Sequence, residues 1–198
     1  NEQVGIVDIL LNNEIVCPHI DINATATGEF VNGRTPLSFA CEKGNLQIVE
    51  LLLNDKIANE DDKNDDDNPF TFHSSDHKNK VERGSLCGAK SECDLNIKSK
   101  AASQRGMSAL HYACKGPSTD VVKLILKHGE FNINTRASGK TCLFLACQYN
   151  NTETVKLLLE QNDIDYNLKT PRGMTPLMIA SQNGNAEIVE MLLKQHNI

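Results

Sequence analysis

The chain has 198 residues, 39% of them hydrophobic but only 5% aromatic, no Trp, and a formal net charge of −6. That acidic balance speaks against general nucleic-acid binding, for which a basic footprint is expected, and no apolar run reaches the roughly 20 residues a membrane helix needs. No secretory signal opens the sequence, which begins at Asn1 without a Met, as expected of a piece of a longer protein. The seven cysteines include no CxxC pair, and Cys41, Cys114 and Cys147 each follow an Ala. Small buried thiols, kept reduced in an intracellular and most simply cytoplasmic protein (nuclear not excluded), fit that pattern.

In chain order, GIVDILL at Gly5–Leu11 followed by DIN at Asp21–Asn23 supplies the second half of a unit, assigned to residues 1–32. A complete unit, GRTPLSFACEKGNLQIVELLL, fills 33–53. An acidic insert at 54–92 follows, and the pattern resumes at CDLN. Residues 93–138 then hold GMSALHYACKGP and TDVVKLIL, residues 139–172 hold GKTCLFLACQYN and TETVKLLL, and 173–198 hold GMTPLMIASQNGNAEIVEMLL. Gly106 to Gly139 spans 33 residues and Gly139 to Gly173 spans 34, whereas Gly33 to Gly106 spans 73. Recurrence at such a period is the mark of a repeat array.

Each recurring residue has a local reason. Thr175 can cap a helix opening at Pro176, where the missing N–H costs nothing. Leu177 and Ala180 share one face, and Ala admits a close neighbour. Asn183-Gly184 ends that helix, since Gly tolerates the left-handed conformation. Asn185 can cap a second helix, with Glu187 in its positive first turn. Ile188, Val189, Leu192 and Leu193 then form one apolar stripe. Two short antiparallel helices of this size are marginal alone and must be buried against the next pair. Ser108-Ala109 in place of Thr-Pro predicts a less firmly set helix start, Pro117 an altered turn, and Cys142 stands for Pro in the third complete unit.

Together the repeated residues resemble the ankyrin-repeat family. The resemblance implies an all-α solenoid of stacked antiparallel helix pairs with finger hairpin loops, forming one array over 1–198. It also implies that His111 bridges neighbouring units rather than serving catalysis.

The insert contains NEDDKNDDDN, six acidic residues in ten, and reads as a loop leaving the turn between two units. His73, His77, Cys87 and Cys93 could supply zinc ligands, but the spacing fits no familiar zinc module, and chance placement in a polar stretch is the default. Asp61 to Asp67 lacks the glycine and alternating ligands of a calcium loop. An acidic loop folding back over a basic surface is a further option. The sequons at Asn23 and Asn150 matter only in a secreted context. No nucleophile–base pairing or phosphate loop emerges, so no enzyme, metal or cofactor is expected.

The family resemblance places partners along fingertips and the exposed side of the first helices, in a concave groove. The residues so selected are Asn32, Arg34, Glu42 and Lys43, then Gln104, Arg105, Met107 and Lys115. The third and fourth units add Ser138, Lys140, Gln148 and Tyr149, and Arg172, Met174, Gln182 and Asn183. Arg34, Arg105, Lys140 and Arg172 put a cation beside each unit's glycine. Stacking would align them into a positive ridge that steers a protein or peptide carrying acidic groups; solvated fingertips would carry such charges equally well. The expected role is a monomeric, non-enzymatic interaction scaffold, the alternative a targeting segment for a catalytic or channel domain outside this chain.

Overall fold

The computed structural model describes residues 21–27, 32–53, 93–128 and 131–195. The N-terminal half unit up to residue 20 and the insert at 54–92 lie outside the described residues. Among the described residues there are eight α-helices and no strands. They are α1 Pro36–Lys43, α2 Leu46–Leu53, α3 Ala109–Lys115, α4 Thr119–His128, α5 Cys142–Gln148, α6 Thr152–Leu159, α7 Pro176–Gln182 and α8 Ala186–Leu193.

The helix starts follow from their caps. The hydroxyls of Thr35, Thr141 and Thr175 each accept the backbone N–H three residues on, at 3.2 Å in all three cases. Ser108 reaches the same end by another route. Its Oγ lies 2.9 Å from His111 Nδ1, so this start is held by a side-chain pair where the sequence predicted a looser one. The ring's other nitrogen, Nε2, lies 3.1 Å from the carbonyl of Thr135, in the finger that leads into the next unit, so His111 ties its helix to that finger.

Between the helices, Gly44 and Gly184 take the left-handed conformation, and Asn150 takes it at φ 57 in the third unit. The unit containing Pro117 differs, as expected: Gly116, which caps α3, is extended at φ −71. Each finger closes by paired backbone bonds, as in Ser99 N–H to Met107 O (2.9 Å) and Gly106 N–H to Ser99 O (2.8 Å). The longer finger before Gly106 absorbs its extra residues as a 3₁₀ turn at Ala102–Gln104.

Helices α1, α3, α5 and α7 stack in one row and α2, α4, α6 and α8 in a second, with the first row packed more closely. Unequal rows bend an array toward the tighter one, so the first helices line its inner side. The core is one continuous cluster between the rows, built from Leu37, Leu110, Leu143 and Ile179 of the first row and Val49, Val122, Val155 and Ile188 of the second. Side-chain amides tie successive units: Asn151 Nδ2 donates to the Cys114 and Gly116 carbonyls, and Asn183 Nδ2 to those of Cys147 and Gln148.

Candidate partner-binding face

The four cations beside the glycines do not form one ridge. Arg105 and Arg172 precede their glycines and are exposed at fingertips. Arg34 and Lys140 follow theirs, and the extended backbone there carries both side chains inward to the end of the same unit's first helix. Lys140 Nζ bonds Gln148 Oε1 at 2.9 Å, and Arg34 meets Glu42 at 2.6 Å. Arg34 is only 5% exposed, so it cannot belong to a solvent-facing ridge.

Its burial has a physical basis. The guanidinium lies 3.9 Å from the Phe39 ring centroid and 4.2 Å from that of Tyr112, and its terminal nitrogen donates to the Ser38 carbonyl. Two aromatic faces and a carboxylate compensate its lost hydration. Lys115, from the next unit, also pairs with Glu42. Burial would raise the Glu42 carboxyl, but hydrogen bonds from Lys115 and Arg34 more than reverse this and hold it below the usual range. Lys115 in turn lies 5.7 Å from the Tyr149 ring. A contiguous strip therefore runs from Phe39 through Arg34, Glu42 and Lys115 to Tyr149, crossing three units. Its ends are open: Phe39 is 38% exposed and Tyr149 46%.

The remaining predicted positions divide clearly. Lys43, Ser138 and Gln182 are exposed. Asn32 is exposed, but its carbonyl is occupied by the N–H groups of Lys100 and Ala101. The Arg105 carbonyl likewise takes the Ser138 N–H. Gln104 accepts from the Tyr112 hydroxyl at 2.8 Å, and the Asn183 amide is committed to the preceding unit. Met107 is buried, and Met174 is half-buried against the core. The expectation that Met107 faces a partner is thus corrected: its thioether fills the core.

Phe39 and Tyr112 were not among the selected residues. A signal existed, since both occupy the first-helix position where later units carry Leu145 and Ile179.

Inside the stack, His111 and the thiols of Cys114 and Cys142 are buried together. The hydrogen bond between the thiols raises Cys114 and, with His111 adding, lowers Cys142 against the effect of burial. Burial works against the charged form of His111, but Cys142 and the Thr135 carbonyl outweigh it and raise the imidazole. Burial pushes Cys147 up to about 12 and, with Asp94 adding, Cys93 to about 11. All five described cysteines are free thiols. The proposed ligands His73, His77 and Cys87 lie outside the described residues, and no described group of His, Cys, Asp or Glu is arranged to hold a metal. No described helix is long and apolar enough to cross a membrane.

The family model for ankyrin repeats matches in three copies, over residues 1–83, 81–170 and 137–198. No curated protein matches the chain.

Proposed function

Because this chain belongs to the ankyrin-repeat family, we propose that it is a non-enzymatic scaffold binding a partner protein or peptide along the inner face of its first helices. Ankyrin repeats generally mediate protein–protein interaction and are typically non-catalytic. The observation that carries the finer reading is the Phe39-to-Tyr149 strip, whose aromatic ends are exposed while its charged centre is held by internal pairing. Exposed aromatics on a fixed frame are the usual anchors of an interface. Arg34 and Lys115 against one Glu42, with Lys43 and Lys140 nearby, leave the strip positive on a chain of net charge −6, which favours an acidic partner. Arg105 and Arg172 add charge at the fingertips. The free thiols support a reducing, intracellular setting.

The test compares capture from lysate by the natural chain, by Phe39→Ala/Tyr149→Ala, and by Lys156→Glu on the exposed side of the second row. Proteins held by the natural chain and by Lys156→Glu, and lost from the double variant, support the proposal. Equal capture by all three would remove the strip from the account. Arg105→Glu/Arg172→Glu should weaken the captured interaction and flatten its salt dependence; unchanged affinity would exclude the fingertip contribution.

A further inference from the structure

The strip from Phe39 to Tyr149 holds one site per unit, and each site offers something different. The first unit offers the open Phe39 ring. The second offers Lys115, whose ammonium reaches back to Glu42 and forward to the Tyr149 ring. The third offers the open Tyr149 ring beside Gln148, which accepts from Lys140 Nζ at 2.9 Å. Two ammonium groups from different units therefore meet at the end of α5. The strip is also short of acceptors. Its one carboxylate, Glu42, is already shared, with Oε2 on Arg34 and Oε1 on Lys115. An ammonium carries three N–H donors, and among the described residues Lys115 and Lys140 each give one to a side-chain oxygen. Three cations against one carboxylate leave donors and positive charge at the centre for a partner to meet. The rings already have cations of their own, Arg34 against Phe39 and Lys115 against Tyr149, so a partner cation would gain little there.

The spacing of the sites selects a backbone. Packed helices lie about 8–10 Å apart, so α1, α3 and α5 set the three sites at steps of roughly 9 Å. A polyproline II chain has three residues per turn and rises about 3.1 Å per residue, so it returns a side chain to one side about every 9 Å. A β-strand cannot do this, because its residues i and i+3 point to opposite faces. Resting on the reading of this strip as the partner site, we infer that it takes a peptide segment in the polyproline II conformation, with an apolar residue, an Asp or Glu three places on, and a second apolar residue three places further. The apolar residues cover Phe39 and Tyr149, and the carboxylate lies between Lys115 and Lys140. Single-stranded nucleic acid also binds to rings and cations, but it is the poorer occupant. Glu42 stands at the centre of the strip, and the chain as a whole carries a net charge of −6.

The test is a library of synthetic nonapeptides with leucine fixed at the second and eighth places and the five places between them randomised. Peptides retained by the immobilised full chain are sequenced. Asp and Glu should be enriched threefold or more at the middle place and not at its two neighbours. Lys140→Gln should remove at least half of that enrichment, and Phe39→Ala/Tyr149→Ala should lose the peptides, with far-UV circular dichroism unchanged in both variants. Acidic enrichment at the neighbouring places, or nowhere, would overturn the inference. So would enrichment indifferent to Lys140→Gln, or stronger retention of a labelled oligouridine than of any peptide. If no peptide is retained while capture from lysate still depends on Phe39 and Tyr149, this inference falls and the scaffold reading stands. Equal retention by Phe39→Ala/Tyr149→Ala would remove the strip from both.

Discussion

The first complete unit and the last share a frame and differ in what fills it. In both, a Thr caps the first helix, Pro opens it, a left-handed Gly ends it, and the second helix presents a buried stripe. Yet the first unit holds a buried arginine between two rings and a carboxylate shared by two cations, where the last has Met174 and Gln182. The first unit is locked to its neighbour by charge and aromatic contact, and the last is open on its far side. The frame is generic and sets stability; the contents are local and set what each surface can bind.

The comparison breaks first at the stripe. Leu158→Ala, in a fully buried position, should cost about 2–5 kcal/mol in urea denaturation. Leu193→Ala, on the open face, should stay within about 0.5 kcal/mol. Equal losses would mean that the last unit is covered in solution.

The glycines provide the next contrast. Gly139→Ala and Gly173→Ala incur the same left-handed strain of about 1–2 kcal/mol at φ 77. At Gly139 the new methyl also runs into the Pro171 ring, adding about 1–3 kcal/mol of overpacking. Matching midpoints for the two variants would show that the finger of the last unit does not press on its neighbour.

Charge gives a smaller effect. Glu42→Ala strips Arg34 and Lys115 of their shared acceptor and should cost about 1.5–3 kcal/mol, whereas Gln182→Ala at the equivalent position should be nearly neutral. The smallest expected effect is on pH dependence. The folded Glu42 carboxyl lies below its ordinary value, so the unfolded chain takes up the proton first as pH falls. The stabilisation is therefore complete above the ordinary Glu value of about 4.3 and is lost as pH drops through the lower folded value. Urea midpoints measured from pH 7 to pH 3 should fall less steeply for Glu42→Gln than for the natural chain; parallel curves would detach Glu42 from the acid limb.

The frame was legible in the sequence because the residues that build it answer to local rules. Thr and Asn cap, Gly turns, and Leu and Val recur at helical spacing. The candidate site was legible only as a region. Aligning on glycine treats its two flanks alike, but the chain reverses there: Arg105 ends at a fingertip, while Arg34 follows the extended strand inward and is buried by Phe39 and Tyr112. Those contacts cross between elements and have no periodic signature. Ser108 shows the same limit, since its loss of the usual Thr-Pro is offset by His111, a partner visible only once the helix forms.

The central claim is that partners meet the first-helix strip. Hydroxyl-radical footprinting of the chain with and without a captured partner tests it most directly, because Phe39 and Tyr149 are reactive side chains at its two open ends. Selective protection of both, with Leu193 unaffected, is the predicted result. Protection confined to the second helices, with Phe39 and Tyr149 as reactive as in the free chain, would contradict it.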